Sequence, residues 1–105
     1  MRSKINWKKM QGLIPTIVQD ASTKRVLMLA YSSKASLRKA IAAREGWYYS
    51  RSRQGLWKKG ETSGNAQELQ KVFLDCDGDS LLFLVKQKGN ACCTGKKSCF
   101  EVIQC

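Results

Sequence analysis

A chain of 105 residues, 43% of them apolar, is long enough to bury one core and too apolar to be intrinsically disordered. No apolar run reaches membrane-spanning length and the opening MRSKINWKKM lacks the apolar centre of a secretion signal, so a cytoplasmic location is expected. The formal charge of +11 points to an anionic partner, either a nucleic acid or a small molecule carrying several phosphates, unless it serves solubility alone.

Residues 1–12 are polar and basic and read as a loose lead-in to a single domain over 1–105. Leu13–Asp20 (LIPTIVQD) has strand character, with Pro15 near its start, where a missing donor is tolerated. Ala21-Ser22-Thr23-Lys24 supplies turn chemistry. Arg25–Tyr31 (RVLMLAY) is a nearly continuous apolar run, the pattern of a strand covered on both faces, so these two strands are expected to pair as a hairpin. Ser33 is the expected N-cap of a helix that reaches about Glu45 and stops with Gly46 at C′. Its apolar stripe is Leu37, Ala40 and Ile41. Trp47–Arg53 alternates aromatic and polar residues like a strand, turns at Gln54-Gly55 and resumes along Leu56–Lys59. Gly60–Asn65 (GETSGN) is a polar loop. Val72-Phe73-Leu74 leads into an acidic run, and Leu81–Val85 is the clearest strand. The tail from Gly89 is loop-rich, with Phe100–Ile103 a candidate short last strand. One main helix among many short strands gives an α+β domain.

The acidic run carries the first candidate site. Asp75, Asp77 and Asp79 recur at alternate positions, so an extended backbone would aim three carboxylates to one side, and a divalent cation would relieve their repulsion. An EF-hand does not fit, because the glycine is fourth and the twelfth position is Lys86. An acidic turn between two strands is the plainer reading, and spacing leaves both open. Cys76, Cys92 and Cys99 bracket the same strand. As thiolates they would hold a softer metal and leave one tetrahedral position for water, while as small buried hydrophobes they would hold nothing. In a reducing compartment the five cysteines are expected as thiols or ligands rather than disulfides, with Cys105 a small buried hydrophobe or an exposed thiol. The whole pattern reads as a two-metal site. Ser80 to Lys88, if extended at ~3.3 Å per residue, carries the chain on the order of 27 Å from Cys76. Cys92 and Cys99 then meet Cys76 only if the chain doubles back or a second subunit supplies them, and the second route is favoured.

GLIPTIVQD, VLMLAY, YYSRSR with LWKKGETSG, LDCDGD, and AC-x-TG-x-x-SCF ending at Phe100 occur in this order. Together they resemble the phosphoribosyl-AMP cyclohydrolase family over roughly Gly12 to Phe100. The resemblance implies an intertwined homodimer with zinc held by Cys76 of one chain and Cys92 with Cys99 of the other, and magnesium at Asp75, Asp77 and Asp79. It also implies hydrolysis of the N1–C6 bond in the adenine of phosphoribosyl-AMP, giving the formimino-carboxamide ribotide, the third step of histidine biosynthesis. Zinc-activated water directed at C6 of a purine is also the logic of adenine deaminases.

A substrate with two phosphate groups requires cations. Arg51, Arg53, Lys59 and the loop residues Thr62 and Ser63 are the candidates, and Lys96 with Lys97 would add positive charge between two ligands. Arg51 and Arg53 would share one strand face, which could instead be merely solvated. The chain departs from the family pattern where histidines are usual, carrying Asn65 and Cys93 there and no histidine anywhere. The proton carrier is then Cys93 or Glu61, or catalysis is weakened, and a fourth thiolate from Cys93 would close the zinc site. Lys96 and Lys97 replace paired arginines, keeping charge but losing the bidentate fork. The competing class is a basic, zinc-stabilised module binding nucleic acid with Tyr48, Tyr49 and Trp57 as stacking groups.

Overall fold

The computed structural model describes residues 4–61, 63–92 and 96–103. Among these, β1 (Ile14–Asp20), β2 (Val26–Ser32), β3 (Trp47–Ser50), β4 (Gly55–Lys58), β5 (Gln67–Leu74) and β6 (Leu81–Gln87) form one sheet, with a single helix α1 (Lys34–Ala43). The spatial order is β4-β3-β2-β1-β6-β5, antiparallel throughout except for the parallel pair β1 and β6. The domain is α+β, as its pattern predicts.

Alternation along each strand decides what is inside. Ile14, Val18, Phe83 and Val85 point into one core with Tyr48, and Leu37 and Ala40 of α1 pack into the same cluster. Burying a side chain such as Phe83 contributes about 1.5–3 kcal/mol. Thr16 and Ser32, also fully buried, satisfy one another through their hydroxyls at 2.7 Å. The sheet curls until its ends approach: Gly46 N–H donates to the Gln67 carbonyl at 3.1 Å and Leu69 N–H to the Arg44 carbonyl at 3.0 Å. These bonds stitch the residues entering β3 to the free edge of β5. A Cβ on Gly46 would lie 2.3 Å from Gln67 Oε1, so a larger residue there would push that amide out of place.

Several expectations need correcting. The second strand is covered on one face only, since Leu29 is 52% exposed and Val26 also reaches solvent. In the helix, Ser33 caps as predicted, in a reciprocal box with Ser36, but of the expected apolar stripe Ile41 is exposed and Leu37 and Ala40 alone are buried. Arg44, not Gly46, takes the left-handed position that ends the helix, at φ 55°. The third strand ends at Ser50, so Arg51 and Arg53 lie in the β3–β4 turn rather than on a strand face. β5 begins at Gln67, earlier than the apolar triplet Val72-Phe73-Leu74 suggests, because alternation is interrupted by a bulge between Leu69 and Lys71. Phe100–Ile103 forms no strand. Residues 4–12 are not loose. Asn6 N–H donates to the Gly78 carbonyl at 2.7 Å, and Ile5 and Trp7 pack against the core.

No helix among the described residues is long and apolar enough to cross a membrane.

Candidate active site

The acidic run between β5 and β6 is a turn, not an extension of the strand. Asp75 N–H donates to the Ser80 carbonyl at 2.9 Å and Gly78 N–H to the Asp75 carbonyl at 2.8 Å, reversing the chain. Gly78 adopts φ 72° and a Cβ there would lie 2.5 Å from the Lys4 carbonyl, so glycine is needed on both counts. The turn also gathers ligand atoms. One from each of Asp75, Cys76 and Asp77 lie within 4.8 Å of one another, all on exposed residues. The acidic turn is thus what forms, and it sets three possible ligand atoms side by side. Asp79 stands outside this group, its carboxylate 3.3 Å from Lys9 Nζ.

Cys92 and Cys99 belong to a different part of the molecule. After β6, Cys92 N–H donates to the Lys96 carbonyl at 3.0 Å and Ala91 N–H to the Lys97 carbonyl at 3.3 Å, folding the segment onto itself. Buried Ser98 donates to the Val26 carbonyl at 2.8 Å, and Cys99 N–H to the Leu27 carbonyl at 2.7 Å. The segment is thus fastened to the start of β2, which lies across β1 from the end of β6. Cys76 precedes the 7 residues of β6 and the other two cysteines follow them. That strand spans about 20 Å at ~3.3 Å per residue. The described chain does not double back to Cys76, and among the described residues no second group of three possible ligand residues forms.

The remaining candidates are dispersed. Arg51 lays its guanidinium 4.1 Å from the centre of the Tyr31 ring on the outer sheet face, an attraction between cation and ring quadrupole. Arg53 is exposed, its N–H donating to Ser50 Oγ. Lys59 N–H donates to the Gly46 carbonyl at 2.8 Å, holding the end of β4 to the residue before β3. Glu61 and Ser63 are exposed on the GETSGN loop, whose neck is closed by Gly64 N–H to the Gly60 carbonyl at 2.9 Å. Lys96 pairs with Glu101, while Lys97, Arg25 and Phe100 line a cleft of about 690 Å³ beside Ser98. Thr62 and Cys93 lie outside the described residues.

Three features escape a reading of the sequence. Lys9 has no motif around it, and Tyr31 ends the VLMLAY block with no role assigned to its ring, so their partners emerge only from the fold. The set of buried Tyr48, buried Gln67 and half-buried Gln87 is different, since amides at inward strand positions interrupt an otherwise apolar alternation. Tyr48 is wholly buried between Trp57 and Phe83, with ring centroids at 5.3 and 5.7 Å. Burial pushes its phenol well above the ordinary range, so it is a neutral donor. It cannot serve as a stacking group for nucleic acid.

The sequence pattern of the phosphoribosyl-AMP cyclohydrolase family matches residues 28–101. The chain is 53% identical over 97 residues to a phosphoribosyl-AMP cyclohydrolase of Nitrosopumilus maritimus, covering 92% of this chain and 90% of that protein. Identity to the protein of the same name from Clostridium beijerinckii is 54% over 96 residues, or 91% of this chain and 88% of the relative. For the one from Bacillus cereus ATCC 10987 it is 53% over 91 residues, or 87% and 90%. By this likeness the chain is a hydrolase. It belongs to the phosphoribosyl-AMP cyclohydrolase family.

Proposed function

We propose that the chain works as a homodimer that hydrolyses the N1–C6 bond of the adenine in phosphoribosyl-AMP, a reaction of histidine biosynthesis, with the aid of zinc and magnesium. The observation that carries this reading is the separation along β6: Cys76 sits with Asp75 and Asp77 before the strand, and Cys92 and Cys99 lie after it. In a two-fold pair with opposed strands, the far end of one β6 approaches the near end of its mate, so each site would take Cys76 from one protomer and two thiols from the other. The outer sheet face supports pairing. Ile17 is cross-strand neighbour to both Leu29 and Leu82, and Leu82 to Phe73, which makes an apolar band of exposed or half-buried side chains.

The donor types fit the two ions, thiolate for zinc and carboxylate for magnesium. When bound, zinc supplies Lewis-acid activation of the water that adds at C6, and magnesium offsets phosphate charge. The chain's own groups do the rest. Glu61 on the GETSGN loop, or Cys93, accepts the proton released by that water and returns one to N1 as the ring bond breaks. Arg51, Arg53, Lys59, Thr62, Ser63, Lys96 and Lys97 hold the two phosphate groups, Arg51 already oriented by Tyr31. With no histidine to carry protons, Cys93→His is the informative variant: faster turnover marks a weakened catalyst and slower turnover marks Cys93 as the working group.

The test is turnover of phosphoribosyl-AMP by the purified protein. Turnover that a chelator abolishes and added zinc restores is expected. Undiminished turnover after exhaustive metal removal would overturn the metal-assisted reading, and no turnover by zinc-loaded protein would overturn the enzyme.

A further inference from the structure

We infer that Gln67 and Gln87 are positioning residues that lock the base of the GETSGN loop to the exit of β6, and so fix Glu61 and Ser63 relative to the segment bearing Cys92. The inference rests on the proposed site. Gln67, only 1% exposed, is the first residue of β5, one residue beyond the loop, and Gln87 is the last of β6. Their amides form a directed chain. Gln87 Nε2 donates to the backbone carbonyls of Asn65 at 2.9 Å and Lys88 at 3.1 Å, its Oε1 accepts from Gln67 Nε2 at 2.8 Å, and Gln67 Oε1 accepts from the Tyr48 hydroxyl.

The polarity of this chain admits no flip. Backbone carbonyls only accept, so the Gln87 nitrogen must face them and its oxygen must face Gln67. The Gln67 nitrogen then faces Gln87 and its oxygen faces Tyr48, whose buried phenol stays protonated and donates. Each member orients the next, and a half-satisfied version would leave buried polar atoms without partners. Two further contacts close the same junction. Lys88 N–H donates to the Ala66 carbonyl at 2.8 Å, and Asn65 lies over Gly89, where a Cβ would meet its Oδ1 at 2.1 Å. Gly89 begins the short run to Cys92, so the loop and the thiol segment share one foundation. A filler of core space would need only shape at these positions, and methionine would serve.

The test compares Gln87→Met and Gln67→Met with wild type, using Met28→Leu as a control that removes only the sulfur contact to Gln67. Each should keep its fold and its zinc content per chain, show at least tenfold faster hydrogen exchange at amides 60–66, and lose about ten- to a hundredfold in kcat against phosphoribosyl-AMP, the scale of a misplaced catalytic group. Met28→Leu should match wild type in both. Variants with a lower Tm but unchanged loop exchange and unchanged kcat would overturn the inference and leave these residues merely structural. Should the methionine variants not fold, the wild type decides alone: the side-chain NH₂ protons of Gln67 and Gln87 must be protected from exchange, and free exchange at Gln87 contradicts the chain. The exchange readout needs no substrate, so an inactive wild type would refute the proposed reaction and leave the loop linkage separately judged.

Discussion

Asp20 ends β1 and organises the hairpin that follows. Its carboxylate accepts from Thr23 N–H at 2.7 Å, Thr23 Oγ1 at 2.9 Å and Ser22 N–H at 3.1 Å. The Thr23 backbone bond, before any other influence, holds this carboxyl below the usual range, against burial, which comes next and raises it. An unfolded aspartate titrates near about 3.9, so the unfolded chain takes up the proton first as pH falls. The stabilisation is complete above that value and is lost as pH drops through the lower folded one. Asp20→Asn should therefore lower Tm at pH 7, and its gap to wild type should narrow as pH falls below the unfolded value; a gap that stays constant would contradict this. Gly60 makes a second residue-scale claim. It adopts φ 86°, and a Cβ would meet Ala66 N at 2.4 Å, whereas Gly64 at φ 78° faces open space. Urea unfolding of Gly60→Ala should show a loss of about 2–4 kcal/mol, clearly more than the about 1 kcal/mol that left-handed backbone alone costs at Gly64→Ala. Equal losses would mean that the neck of the loop yields. Thr23 and Ser33 were legible as turn and cap because such chemistry is local. Arg44 was not, since its own carbonyl accepts from Leu69 N–H at the β5 edge, a contact between residues far apart in the chain.

At the scale of elements, α1 depends on its first turn. Ser36 N–H donates to Ser33 Oγ at 3.1 Å and Ser33 N–H to Ser36 Oγ at 2.8 Å, each hydroxyl satisfying the other's backbone. Ser33→Ala should reduce stability by about 1 kcal/mol, measured by denaturant midpoint, and no change would show that the cap is dispensable. The acidic turn shows why the candidate cluster was partly readable. Three aspartates at alternate positions announce crowded carboxylates whatever the backbone does, so the closeness of Asp75 and Asp77 was legible, though the extended geometry expected for it gives way to a turn. What spacing could not reveal is that Gly78 reverses the chain, bringing Cys76 into the acidic pair and leaving Asp79 with Lys9. Strand pairing had the same limit. β1 and β2 are neighbours in sequence and were legible, but the parallel contact of β1 with β6 joins residues far apart in the chain, which no local pattern encodes.

For the whole molecule, the apolar band on the outer face and the distribution of thiols along β6 point the same way. Leu29, 52% exposed between Ile17 and Tyr31, is central to that band. Leu29→Lys should leave the fold intact and yield monomers in sedimentation, because it sets a charge where a second copy would exclude water. A dimer of unchanged affinity would move the interface elsewhere. The claim on which the reading rests is that neither protomer holds a complete zinc site. Mixing Cys76→Ser with Cys92→Ser protein under subunit exchange, with heterodimers counted by native mass spectrometry, tests it most directly. Each heterodimer should regain one intact site, so statistical exchange should restore about a quarter of wild-type zinc and turnover from two inactive parents. Full exchange without recovery, or zinc retained by an isolated monomer through its own three thiols, would contradict the account.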